Sequence, residues 1–149
     1  MPSFRSNSDW TLLPLRVAVG VGFIVHGWAK LSRGPAKFAK LLEYVGMPLP
    51  LPTAWGVTLL ELVGGFAIIA GLFVAIVSLP LIASMLVATF TVNIRYGFSS
   101  VNTIGMTPAG PVFGPPGYEI NVLYVAALLA LALSGPTVAS VDAWLARRR

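Results

Sequence analysis

Apolar residues run almost unbroken along four stretches of this chain, and its few charges gather between them. The first stretch covers Thr11 to Leu31, with Trp10 and Trp28 near its ends, where amphipathic indole rings favour a membrane–water boundary. A second run, Thr53 to Arg95, is about twice the ~20 residues that cross a ~30 Å hydrocarbon core, so it predicts two helices and a tight reversal. Gly71 is the turn candidate. Helices then cover Thr53 to Ala70 and Val74 to Tyr96, the latter kinked at Pro80, or starting near Leu79 with Pro80 in its first turn. A fourth helix is predicted from Tyr118 to Ser134, closed by Gly135 and Pro136 in the usual stop order.

The segments between are of different kinds. "RGPAKFAKLLEYVG" is too short and too charged to span. Pro35 suits a first helical turn, Phe38, Leu41, Leu42 and Val45 follow i, i+3, i+4, i+7, and Gly46 ends the pattern. This predicts an amphipathic helix over Pro35 to Val45, lying on the membrane surface. "MPLPLP" predicts an extended return to the membrane. Gly97 to Gly117 holds five glycines, four prolines and no charge, which predicts a long irregular loop. "VASVDAWLARRR" predicts a short interfacial tail helix.

Composition narrows the class. With 10% charged residues and a mean hydropathy of +0.83, the chain lies far from the roughly 25% charge of soluble domains. Arg16 interrupts the first apolar run and no A-x-A cleavage pattern follows, so this segment reads as a retained helix rather than a signal peptide. Without cysteine there is no thiol redox chemistry, iron–sulfur cluster or thiolate metal site. The net charge of +5 comes from clusters flanking apolar segments, suiting anionic lipid heads and not a nucleic-acid surface. The expected fold class is all-α: one unit over residues 1–149, a membrane-spanning antiparallel four-helix bundle with an amphipathic interfacial helix between its first and second helices.

That topology brings certain polar residues to one end. With the N-terminal side labelled A, up-down-up-down threading places His26, Lys30, Glu61, Arg95 and Glu119 in the opposite, B half. His26 lies roughly 8 Å and Glu61 roughly 12 Å below the B surface, at 1.5 Å per residue. Lys30 is one turn from His26 on the same face. A carboxylate as deep as Glu61 costs on the order of 3 kcal/mol unless it faces the interior and finds a partner, which makes it a functional candidate. Arg95 and Glu119 fit either a site or an interfacial ion pair joining the third and fourth helices. Gly22 and Gly65, one turn below His26 and Glu61, would let helices approach closely. The expectation is a polar cup opening on side B. A metal site from His26, Glu61 and Glu119 lacks H-x-x-x-H or E-x-x-H spacing, and no metal is assigned. On side A, Arg16 and Asp142 are expected to form an ion pair that holds the tail down.

Several of these segments resemble one family. "RVAVGVGFIVHGWAKL", "MPLPLPTAWGVTLLELVGGFAIIAGL", "GYEINVLYVAALLALALSGP" and "SVDAWL", in this order, resemble the DoxX family of small bacterial four-helix membrane proteins over about Leu15 to Leu145. The positions that match are Arg16, His26, Gly27, Lys30, Leu31, Glu61, Gly64, Gly65, Glu119 and Asp142. The resemblance implies a multi-pass protein of the bacterial inner membrane with a redox association, since the family is named for a likeness to subunits of a membrane thiosulfate:quinone oxidoreductase. It departs at the turn after the second helix, where "GLFVAIV" carries no polar residue.

Three functions are open at this level. A quinone-linked redox subunit would use His26 or Lys30 to donate to quinone carbonyls and Glu61 to relay protons. Lacking G-x-G-x-x-G or any other nucleotide motif, it would take electrons from a soluble or membrane redox partner. A non-enzymatic anchor would dock a soluble oxidoreductase on the amphipathic helix through Lys37 and Lys40. A small proton-coupled transporter subunit would need polar groups reaching side A, where Arg16 is the only internal charge.

Overall fold

The computed structural model describes residues 5–137 and 139–148, so Val138 and Arg149 of the expected tail helix lie outside the described residues. The helices are α1 (Arg5–Arg33), α2 (Pro35–Tyr44), α3 (Pro50–Ala70), α4 (Val74–Ala88), α5 (Glu119–Leu133) and α6 (Val141–Ala146). A π-helical stretch, Thr89–Asn93, and a 3-10 turn, Ile94–Tyr96, continue α4. Three helical runs are long and apolar enough to cross a membrane: Trp10–Arg33, Pro50–Ala70 and Val74–Tyr96. The fold is mainly helical, with side chains pointing outward that a soluble bundle would hide. Val25, Val63, Phe66 and Leu79 are each 59 to 66% exposed, which suits lipid contact.

α1 packs on α3, α3 on α4, α4 on α5, and α5 again on α1. Val19, Phe23, Ile68, Leu81, Leu128 and Leu131 fill the space they enclose. Backbone contact between α1 and α3 depends on glycine. A β-carbon on Gly20 would fall 2.6 Å from the Gly65 carbonyl oxygen, and one on Gly27 would fall 2.9 Å from the Leu62 nitrogen. Gly65 therefore makes the close approach expected of it. Gly22 has another use, because a β-carbon there would overlap the Tyr124 phenol of α5.

Four sequence expectations are corrected. The "MPLPLP" stretch is not extended throughout: α3 starts at Pro50, after Leu49 in the left-handed region at φ 51°. First-turn N–H groups have no intrahelical acceptor, so prolines at 50 and 52 cost the helix nothing. The long loop is not irregular throughout: β1 (Thr103–Thr107) and β2 (Gly110–Phe113) form an antiparallel hairpin with an irregularity at Ile104. Pro108 and Ala109 make its turn, and Gly110 follows at φ 121°. The fourth apolar helix, α5, has only fifteen residues and rises about 23 Å, short of a ~30 Å core. Gly117 and Gly135–Pro136 clip its two ends. The Gly117, Tyr118 and Glu119 amides donate to the carbonyls of Ser99, Gly97 and Phe98, so the loop satisfies amides at the start of α5.

The fourth correction concerns Arg16 and Asp142, which meet at the expected end without pairing directly. Among the described residues the only ion pair is Lys30–Glu61. Arg16 is buried and donates to the Ile68 and Ile69 carbonyls at 3.1 and 2.5 Å, to Thr137 Oγ1 at 2.8 Å and to the Ala139 carbonyl at 2.9 Å. Asp142 accepts from the Phe73 amide at 2.9 Å and the Val74 amide at 3.4 Å, while its own amide donates to Gly71. A helix C-terminus exposes carbonyls and an N-terminus exposes amides, so the cation closes α3 and the carboxylate opens α4. The polar groups missing from the "GLFVAIV" turn are supplied by α1 and α6.

Gly71 is the turn residue, as expected. It sits at φ 68°, donating to Ile68 while Leu72 donates to Ala67, a Schellman closure. A β-carbon here would also overlap Ser140 and the Arg16 guanidinium. Gly71→Ala is expected to cost about 2–4 kcal/mol, from left-handed strain plus overpacking. Gly56→Ala, where a β-carbon meets nothing within 4 Å, should be neutral or slightly stabilising. Thermal unfolding of both variants in one detergent checks the contrast.

Candidate functional site

Glu61 faces inward from the middle of α3 and is 1% exposed. Its Oε2 pairs with Nζ of Lys30, which arrives from the last turn of α1. A buried carboxylate in a lipid-facing helix needs such a partner, and the cation can reach it because Gly27 lets α1 lie against α3. The Lys30 ammonium is also 5.1 Å from the centre of the Phe38 ring, so α2 covers it from the far side with a cation–π contact.

One turn before Lys30, the His26 ring meets Tyr124 edge to face, with centroids 6.4 Å apart. Phe23 also meets the Tyr124 ring edge to face, with centroids 5.1 Å apart. Asn121, one turn before Tyr124, is buried and donates to Thr89 Oγ1 at 3.0 Å and Asn93 Oδ1 at 3.2 Å. These acceptors bracket the π-helical stretch, and Asn93 in turn donates to the Pro116 carbonyl at 3.1 Å. A π-bulge of this kind redirects side chains locally and is frequent at functional sites.

Together these groups line a chamber of about 370 Å³. His26, Lys30, Glu61, Asn93, Asn121 and Tyr124 provide its polar surface, while Phe23, Phe38, Leu42, Met47, Val57, Met85 and Ile120 are among its apolar walls. Such a mixture, mostly apolar with a few convergent polar groups, is typical of a site for a small organic ligand. Among the described residues, neither His26 nor the Tyr124 hydroxyl has a hydrogen-bond partner, and no group of three His, Asp or Glu side chains could hold a metal ion.

The structure brings together three of the five residues expected in the cup. Arg95 and Glu119 do not line the chamber and do not pair with each other. Arg95 is exposed and donates to the Thr91 carbonyl at 3.0 Å. Glu119 accepts from the Ser100 amide at 2.9 Å, holding the loop to the start of α5. Asn121, Tyr124 and the Thr89–Asn93 stretch were not singled out from sequence. The signal was present, since Asn121 and Tyr124 are the polar-tipped positions at i, i+3 within the apolar run of α5.

No curated protein and no solved structure matches the chain. The DoxX family model matches residues 11–94, from the first membrane-capable helix through Glu61 to the start of the 3-10 turn that ends α4's continuation. With more than half its length matched, and with its apolar helices facing outward, the chain belongs to the DoxX family of membrane proteins.

Proposed function

We propose that this protein is a quinone-linked redox subunit of the bacterial inner membrane. Its four apolar helices form an antiparallel bundle, and α2 lies along the interface at the chamber end. The helix register supports this threading, because Gly20 faces Gly65 and Ile69 while Gly27 faces Thr58 and Leu62. α2 buries Pro35, Ala39 and Leu42 and exposes Lys37, Lys40 and Tyr44, the two-sided character of an interfacial helix. The shortness of α5 is tolerable because loop carbonyls take its first amides.

The observation that carries the reading is the Lys30–Glu61 pair beside two free donors, His26 and Tyr124, in an otherwise apolar chamber. A quinone head needs donors to its carbonyls and a titratable group for its protons, and its isoprenoid tail needs an apolar exit. The chamber residues fit that requirement. A bound quinone would supply the two-electron couple, with electrons arriving from a redox partner. His26 and Tyr124 orient the head by donating to its oxygens, Lys30 and Glu61 hold and pass a proton, and Phe23, Phe38 and Met85 exclude water.

The test is to purify the protein in mild detergent, extract it with organic solvent and quantify quinone per protein, with Glu61→Gln and Tyr124→Phe in parallel. Near-stoichiometric quinone in the parent that falls in both variants is expected. Absence of quinone from the well-folded parent would overturn the reading, and attention would move to a soluble oxidoreductase docked on Lys37 and Lys40.

A further inference from the structure

A second space opens beside the chamber, on the outer side of Lys30. It lies where α1 gives way to α2 and measures about 420 Å³. Lys30, Arg33 and Lys37 line it with His26, and no acidic residue does. Among the described residues, Arg33 and Lys37 make no ion pair or side-chain hydrogen bond, although three cations converge on one cleft. Lys30 is already compensated by Glu61, which leaves Arg33 and Lys37 as the two cations of the cleft without an anionic partner, and a bound anion would supply one.

Geometry and chemistry narrow the anion. At about 30 Å³ per water molecule, the cleft is an order of magnitude larger than a single small ion needs. Its floor is open, because Gly34, at φ 89°, has nothing within 4 Å of where a β-carbon would stand. Its flank is apolar: Phe38 and the 42% exposed Leu41 line the same space as the cations. The cleft sits at the terminus of the Trp10–Arg33 membrane-capable helix, where a lipid head would stand beside its own acyl chains. We infer that the Lys30–Arg33–Lys37 cleft binds the phosphate head of an anionic phospholipid, with Phe38 and Leu41 against the start of its acyl chains. Arg33 supplies a planar fork for phosphate oxygens and Lys37 a point charge. Lys30 borders both spaces, so its ammonium stands between the lipid phosphate and Glu61. The inference does not depend on what the chamber holds.

Native mass spectrometry of the full chain, released from detergent doped with equal phosphatidylglycerol and phosphatidylcholine, tests it. The parent should carry mainly phosphatidylglycerol. Arg33→Gln/Lys37→Gln should lower the ratio of phosphatidylglycerol to phosphatidylcholine adducts roughly tenfold or more, the scale expected from removing two basic contacts with an anionic head. Lys40→Gln, on the same helix but outside the cleft, should keep the parental ratio. Both substituted segments are exposed, and unchanged unfolding temperatures in lipid-free detergent would verify that the variants fold. Equal adducts in the parent would overturn the proposal, as would an equal loss in Lys40→Gln. Displacement of the lipid by millimolar inorganic phosphate would overturn it in favour of a free-phosphate site.

Discussion

Lys30→Met is expected to destabilise the protein by about 3–5 kcal/mol, because it leaves the Glu61 carboxylate buried without its cation. Glu61→Met alone should cost less. Lys30 retains 21% side-chain exposure and the Phe38 ring, so its ammonium has somewhere else to go. The double variant Lys30→Met/Glu61→Met is expected to recover most of the parental stability, since replacing a whole buried pair by apolar side chains of similar size is often neutral or better. Equilibrium unfolding of the three variants in one detergent measures this cycle. Its value lies in separating two uses of the pair. On the proposed quinone function, a pair that serves architecture predicts that the stable double variant retains as much quinone as the parent; a pair that serves the chamber's chemistry predicts that stability returns and quinone is lost. We expect the second outcome. A double variant that is both stable and quinone-replete would remove Glu61 and Lys30 from the mechanism.

Arg16→Met should be of comparable severity, about 3–5 kcal/mol, at the other end of the bundle. Four hydrogen bonds from one guanidinium join α1 to the end of α3 and to the segment before α6. Removing it leaves those acceptors unpaired where water is scarce, and bonds from a charged donor count for more than neutral ones. Arg16→Lys should recover only part of the loss, because one ammonium cannot reproduce the fork. Hydrogen exchange gives a local readout: in Arg16→Met, amides of Leu72–Val74 and Asp142–Trp144 should exchange faster, while those near Glu61 keep their protection. Faster exchange spread evenly over the chain would mean that Arg16 is not a local latch. The contrast between the two pairs of residues is informative, since Lys30–Glu61 borders a cavity and Arg16–Asp142 closes helix ends.

The three membrane-capable helices, the Gly71 reversal, α2 from Pro35 and the alignment of Glu61 with Lys30 and His26 were all readable from the sequence. They depend on local quantities: apolar length against membrane thickness, glycine and proline as stops, and rise per residue along a helix. Depth along a helix is one-dimensional, so arithmetic on residue numbers is enough to place Glu61 level with the last turns of the first helix. Azimuth is different. Whether Arg95 and Glu119 turn toward the chamber, or toward the helix surface and the loop, depends on how α4 and α5 are rotated. The π-helical stretch at Thr89–Asn93 changes that rotation just before Arg95. Capping is likewise a tertiary matter. Opposite charges at positions 16 and 142 suggest an ion pair by sequence, but the carbonyls ending α3 and the amides beginning α4 compete for them, and these exist only once the turn has formed. The sequence by itself determined which helices are long and apolar enough to cross a membrane and how far along each one its polar residues fall, because that follows from hydrophobicity and helical rise along the chain. Only the tertiary structure decided which polar groups share a cavity, because that is set by helix rotation, glycine-mediated approach and competition for hydrogen-bond partners.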